Sequence, residues 1–329
     1  MSVPLELPLT SVNSADKTMM ESATTGVGKL AIFFRLTRFQ FLPLIILPAS
    51  IGTALAYRYE HVFNLSYFVV ALVGVMLLHL GANAIDDCYD FQNGVDEISD
   101  SIFPKDFGGW KPLPRGLISL RNAKFTSYLL LIGSITIAVY FTIVVGPWSL
   151  ILGTAGVLLA VTYTAPPLKL DYRGHGFGET AILLAFGPIP VLGSFYVQTG
   201  MLTLPAFIVS LPIGITTVTI LMDHDLIFYE VYVKAKKFSL AAILGRSRAL
   251  YTSLFMTIFS YLIVFALIYS SVLPFWSLVA PIVSTIVLLS SGKTFGRPNE
   301  PPPYYAAFTA RALLANWLFA LIIALTIVI

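Results

Sequence analysis

The chain has 329 residues, of which 57% are hydrophobic and 11% charged, with a formal net charge of +3. A water-soluble domain carries about 25% charged residues, so a chain this apolar has too little polar surface for water and belongs in lipid. The small net charge provides no basic domain for nucleic acid, and the single cysteine, Cys88, excludes an intramolecular disulfide.

The first 28 residues are polar and rich in Ser and Thr, with no apolar h-region. They read as a mobile tail and not as a secretory signal. A helix needs about 20 apolar residues to cross the hydrocarbon core. Nine stretches qualify in chain order: 39–57, 66–85, 123–145, 148–164, 178–197, 204–222, 250–270, 275–291 and 308–329. The fourth and eighth are short. The fifth contains Gly187, Pro188 and Pro190, breakers that are tolerated at membrane depth where the freed backbone groups face a cavity or another helix. The predicted fold is therefore all-α: one domain over 29–329, a polytopic membrane bundle of about nine transmembrane helices around a central cavity.

Basic residues orient the bundle. With the N-terminus inside, the tail and the even-numbered loops collect 19 of the 20 Lys and Arg, and only Arg58 falls outside. Orientation follows Lys/Arg bias in short loops, so the N-terminus and these loops are expected on the cytoplasmic side of the cell membrane. Two inside loops are long, one after the second stretch and one after the sixth, and each follows a helix that ends in acid. This spacing reads as two four-helix pseudo-repeats plus a ninth helix, an arrangement that places a site at the repeat interface.

The first acidic cluster is NAIDDCYDFQNGVD, from Asn83 to Asp96. Asn83, Asp87 and Asp90 stand at i, i+4 and i+7 and so share one helical face. Carboxylates crowded at the end of an apolar span repel one another and point to function. A hard divalent cation such as Mg²⁺ relieves that repulsion, taking one or two carboxylates plus phosphate oxygens and water. The second cluster, DHDLIFYEVYVKAKK, begins at Asp223 and adds Asp225 and Glu230, with Asp223 and Glu230 on one helical face. Lys111 and Arg115 in KPLPRG, and Lys169 and Arg173 in YTAPPLKLDYRG, face the same compartment. Together, two acidic clusters, a ring of Lys and Arg suited to phosphate oxygens, and an apolar interior fit metal–diphosphate chemistry on a hydrocarbon substrate. Cys88, among acids, reads as a small packing residue. No histidine has a zinc-like partner, and there is no P-loop or dinucleotide fingerprint.

Over nearly all of its spans the chain resembles the UbiA superfamily of intramembrane prenyltransferases. NAIDDCYDFQNGVD looks like the first of that family's two Asp-rich motifs, and KPLPRGLIS is similar to one of its loops. YTAPPLKLDYRG followed by FGPIPVLGSFYVQTG is most similar to the 1,4-dihydroxy-2-naphthoate prenyltransferases of menaquinone synthesis. The resemblance implies Mg²⁺-dependent transfer of a polyprenyl group from a prenyl diphosphate to an aromatic acceptor within membrane lipid. It implies metal contacts from Asp87 and Asp90, oriented by Asn83, with Asp223, Asp225 and Glu230 at a second position. Lys111, Arg115, Lys169 and Arg173 would hold the diphosphate, with Arg38 and Tyr163 assisting. The second motif departs from the family pattern: Phe228 and Tyr232 stand where the family has its two aspartates. Two alternatives stay open: the same chemistry on 4-hydroxybenzoate or a glyceryl phosphate, and a non-catalytic lipid-binding or transport relative. No feature speaks to oligomeric state.

Overall fold

The computed structural model describes residues 26–103, 111–290 and 300–329. The tail before residue 26, together with Lys105, Lys293 and Arg297, lies outside the described residues. Fourteen α-helices follow in order among the described residues: α1 (Gly26–Leu36), α2 (Pro43–Glu60), α3 (Leu65–Gln92), α4 (Val95–Ile102), α5 (Leu120–Val144), α6 (Trp148–Thr164), α7 (Phe177–Phe186), α8 (Pro188–Thr199), α9 (Leu204–Ile227), α10 (Tyr229–Lys234), α11 (Leu240–Leu244), α12 (Arg246–Tyr269), α13 (Val279–Leu289) and α14 (Pro302–Val328). No strand occurs among them.

Seven segments are long and apolar enough to cross a membrane: Phe39–Glu60, Leu65–Gln92, Leu120–Val144, Phe177–Thr199, Leu204–Ile227, Arg246–Tyr269 and Pro302–Val328. The other two predicted crossings correspond to the shorter apolar helices Trp148–Thr164 and Phe275–Leu289. Large apolar side chains point outward along the bundle, with Ile143 80% and Phe255 67% exposed. In water this surface would aggregate; against lipid it is the expected exterior of a multi-pass membrane protein.

The predicted break in the fifth stretch falls at Gly187, which separates α7 from α8. A Cβ there would stand 2.8 Å from the Ser210 carbonyl and 3.0 Å from the Gly214 Cα, so the glycine permits close contact with α9. Small residues at helix crossings are the usual way to bring backbones together in lipid. The largest apolar cluster lies toward one end of the bundle, where Ile51, Leu55, Val191, Phe195, Val209, Ile213, Phe319 and Ile323 pack together. Helix α9 passes from that core to the opposite end and is buried along most of its length. Its threonines are satisfied within the helix: Thr217 Oγ1 donates to the Ile213 carbonyl at 2.9 Å and Thr219 Oγ1 to the Thr216 carbonyl at 2.8 Å. The acidic ends of α3 and α9 meet at the end of the bundle away from this core.

Candidate active site

A cavity of about 830 Å³ opens between these helix ends. Its deeper wall is apolar, with Leu44, Ile45, Leu78, Leu159, Ile182, Phe186 and Leu313. Its polar end carries Asp86, Asp87, Asp90, Asp96, Asp171 and Asp225 together with Arg35, Arg38, Lys111, Arg115 and Lys237. Such polarity at one end of an apolar cleft suits an amphiphile with an anionic head.

Helix α3 positions the first acids. Asn64 caps its start by accepting from the Tyr67 N–H at 3.1 Å, and the helix runs unbroken to Gln92. Asn83, Asp87 and Asp90 therefore stay on the cavity side, as their spacing requires. Asn83 Nδ2 donates to the Thr37 carbonyl at 3.1 Å and lies 3.1 Å from His79 Nε2, so this side chain ties α3 to the turn before α2. In that turn Arg38 adopts a left-handed backbone conformation, φ 49°. Its guanidinium donates to Asp87 Oδ1 and stands 3.3 Å from Asp86 Oδ2. Lys111 Nζ is 2.7 Å from Asp96 Oδ1 and 3.9 Å from Asp87 Oδ1.

The loop after α6 supplies residues that the sequence reading did not select. A 3₁₀ turn, Leu170–Tyr172, turns Asp171 and Tyr172 inward and leaves Arg173 exposed. The Tyr172 hydroxyl donates to Asp90 Oδ1 at 2.8 Å, and Lys237 Nζ lies 3.2 Å from Asp90 Oδ2 and 2.8 Å from Asp171 Oδ2. Burial alone would push the Lys237 ammonium down, yet the facing carboxylates of Asp171 and Asp90 hold it well above the usual lysine range. Burial raises the Asp171 and Asp96 carboxyls, partly countered by Lys237 and Lys111 respectively. Lys111 is raised, because Asp87 and Asp96 outweigh its burial.

Among the described residues four buried carboxylate oxygens have no hydrogen-bond partner: Asp86 Oδ1, Asp96 Oδ2, Asp171 Oδ1 and Asp225 Oδ2. Burying such atoms unpaired is unfavourable. Among the described residues no group of three or more His, Cys, Asp or Glu is arranged to hold a metal ion by itself. An all-oxygen donor set that is short of ligands fits Mg²⁺, which keeps waters and substrate phosphates in its shell.

The chain matches the UbiA prenyltransferase family over residues 45–310. It belongs to that family. This UbiA-family chain is 25% identical over 238 residues to the 1,4-dihydroxy-2-naphthoate octaprenyltransferase of Bacillus subtilis (strain 168), covering 72% of this chain and 74% of that protein. It is 29% identical over 244 residues to the UbiA prenyltransferase domain-containing protein 1 of Dictyostelium discoideum, covering 73% and 72%. Its fold is that of a solved UbiA homologue from Archaeoglobus fulgidus bound to GPP and Mg²⁺, with a TM-score of 0.61 at 16% identity over 89% of this chain and 99% of that one.

Within the UbiA-family fold the residues predicted for the site separate. Asn83, Asp87, Asp90, Asp225, Arg38, Lys111, Arg115 and Tyr163 line the cavity. Lys169 stands behind it: its Nζ donates to Asn93 Oδ1 at 2.7 Å, and Asn93 Nδ2 donates to the Tyr172 hydroxyl at 3.2 Å. Arg173 Nε donates to the Leu168 carbonyl at 2.7 Å, away from the cavity. Asp223 faces a separate cavity of about 260 Å³ and accepts from Ser253 Oγ at 2.9 Å. Glu230 is on the surface, 3.0 Å from Arg246. Helix α9 stops at Ile227 and α10 restarts at Tyr229, so the helical face expected to join Asp223 to Glu230 does not persist. Asp171, Tyr172 and Lys237 are the additions. The signal for them was present as an acid and a tyrosine in a loop read for its cations, and as a lysine in a cluster read for its acids.

Proposed function

We propose that this enzyme transfers a polyprenyl group from a prenyl diphosphate to an aromatic acceptor, with 1,4-dihydroxy-2-naphthoate as the acceptor and Mg²⁺ as the ion. The observation that carries the reading is the gathering of carboxylates and cations at one end of a cavity whose remainder is apolar. The name of the Bacillus relative supports the acceptor. The Lys/Arg bias supports a cytoplasmic side for the mouth, and a cell-membrane location belongs to the same proposal.

In this reading Asp86 and Asp87 would hold the ion, with phosphate oxygens and water completing its shell. Mg²⁺ bound there supplies positive charge against the diphosphate. Arg38, Lys111 and Arg115 at the mouth bind the remaining diphosphate oxygens, and the apolar wall receives the prenyl tail. The bond from the allylic carbon to the diphosphate oxygen breaks, and its electron pair leaves with the diphosphate. Cations already in place stabilise that developing charge without reorganising. The allylic carbon then bonds to a ring carbon of the acceptor, and the apolar wall keeps water from competing. Asp225 Oδ2 and Asp171 Oδ1, buried and unpartnered, are the oxygens available to take a proton from the acceptor. Asp223 and Glu230 take no part.

The test is diphosphate release from geranylgeranyl diphosphate by the purified full chain, with Mg²⁺ or EDTA, and with 1,4-dihydroxy-2-naphthoate, 4-hydroxybenzoate or no acceptor. The expected result is Mg²⁺-dependent release that requires the naphthoate and yields its prenylated product. Equal or greater turnover of 4-hydroxybenzoate would overturn the acceptor, and no release with either would overturn the reaction.

A further inference from the structure

Lys237 differs from every other cation of the site in how it is held. Helix α10 ends at Lys234, Lys236 takes a left-handed backbone conformation (φ 54°), and the Lys237 N–H donates to the Tyr232 carbonyl at 2.9 Å. Just beyond, Ser239 caps α11, and the Leu240 N–H donates to Glu179 Oε1 at 2.6 Å. The backbone is thus fixed on both sides of Lys237, and the side chain runs inward from it. Its ammonium lies 4.7 Å from the centre of the Tyr232 ring and 5.4 Å from that of Tyr172, positions that favour a cation over aromatic faces.

Exposure separates Lys237 from its neighbours. The Lys237 side chain is 5% exposed, against 28% for Arg38 and 39% for Lys111. Arg38 and Lys111, on the Asp86–Asp87 side, are part-exposed to water. Lys237 is enclosed by Asp90, Asp171 and the two tyrosine rings. A divalent ion on Asp90 and Asp171 would stand beside this fixed charge in a dry wall, where like charges repel strongly.

We propose that Lys237 is the resident cation of the Asp90–Asp171 end of the site, so that the site loads one divalent ion, on the Asp86–Asp87 side, and the Lys237 ammonium itself contacts the diphosphate. An ammonium has three N–H donors. Asp171 Oδ2 accepts at 2.8 Å, whereas the two Asp90 oxygens share the ammonium at 3.2 and 3.4 Å, so a phosphate oxygen in the cavity that Lys237 lines can replace the longer of these. The inference rests on the prenyl diphosphate reading above. It makes Lys237 a catalytic residue and gives a role to Asp171 and Tyr172, which fix its position.

The experiment counts ions. Purified full chain is titrated with Mn²⁺ in the presence of geranylgeranyl thiolodiphosphate, a donor analogue that is not cleaved, and bound Mn²⁺ is read by electron paramagnetic resonance. The wild type is expected to bind one Mn²⁺ per chain. Lys237→Gln is expected to bind the analogue at least about tenfold more weakly at one ion per chain and to admit a second Mn²⁺ at higher concentration. Lys237→Arg keeps the charge and is expected to keep the single ion. Two Mn²⁺ per wild-type chain would overturn the inference, as would wild-type affinity for the analogue in Lys237→Gln. Should Lys237→Gln fail to fold, the wild-type and Lys237→Arg counts decide. Failure of the wild type to bind the analogue would defeat the donor reading itself, whereas tight binding with two ions would defeat this inference alone.

Discussion

Helices α3 and α9 both pass from apolar residues into acid at the same end of the bundle, yet they use their acids differently. Helix α3 is continuous to Gln92, so Asn83, Asp87 and Asp90 keep one face, and Asp86 lies close enough to share Arg38. Helix α9 ends two residues after its second acid. Asp223 and Asp225 are two positions apart and so about 200° apart around the helix, which sends Asp225 to the large cavity and Asp223 to the small one. Where acids accumulate on one face, cations from three other parts of the chain converge on them: Arg38, Lys111 and Lys237. Where they are divided, a serine hydroxyl or a surface arginine is partner enough. An acid-rich helix end is therefore a site only when its register survives to the last acid.

The most damaging change to this contrast is Asp87→Asn. It removes a charge that holds Arg38 and faces Lys111, and on the proposed reading a ligand of the ion. Prenyl transfer should fall about 10²–10³-fold, the scale of losing one electrostatic contact to a developing charge. The helix content by circular dichroism should not change, because asparagine occupies the same space. Turnover within a few-fold of wild type would remove Asp87 from the site.

A paired comparison on α9 separates its two faces. Asp225→Asn should lower transfer about tenfold or more, as expected for a group that handles a proton. Asp223→Asn should leave transfer within about threefold, since its carboxylate lies in the other cavity against Ser253. Equal losses in the two variants would show that the two cavities act as one.

Local pattern made the α3 half of the site legible and left much of the rest hidden. The i, i+4, i+7 spacing of Asn83, Asp87 and Asp90 needs nothing beyond an unbroken helix, and the sequence there contains no breaker before Gly94. Seven of the nine predicted spans were equally readable, including the one broken at Gly187, because hydropathy and glycine act locally. Asp171 and Tyr172 were hidden by the 3₁₀ turn: its tighter winding turns them inward while Lys169 and Arg173, read as the ligands, are left behind or outside the cavity. Lys237 was counted among the inside charges, because Lys/Arg bias reports the side of the membrane and says nothing of depth. Tyr172 and Lys237 reach Asp90, and Asp171 reaches Lys237, from distant parts of the chain, so only the folded chain brings them together. Glu230 shows the converse, since a helical face extended past Ile227 fails once the backbone breaks at Phe228.

Glu230→Gln carries the smallest expected effect and tests that last point. Had α9 continued, Glu230 would share the face of Asp223; instead it begins a new short helix and its side chain is 52% exposed. Its partner Arg246 sits at the start of α12, so the pair bridges two helix ends at the surface. Exposed pairs of this kind contribute about 0–1 kcal/mol, because water screens the attraction and two side chains must be ordered to make it. The substitution should therefore leave transfer within about twofold of wild type and lower thermal stability only slightly, with an effect that salt reduces further. A loss of transfer comparable to that of Asp225→Asn would place Glu230 in the cavity after all, and would require α9 and α10 to join into one helix when substrate binds.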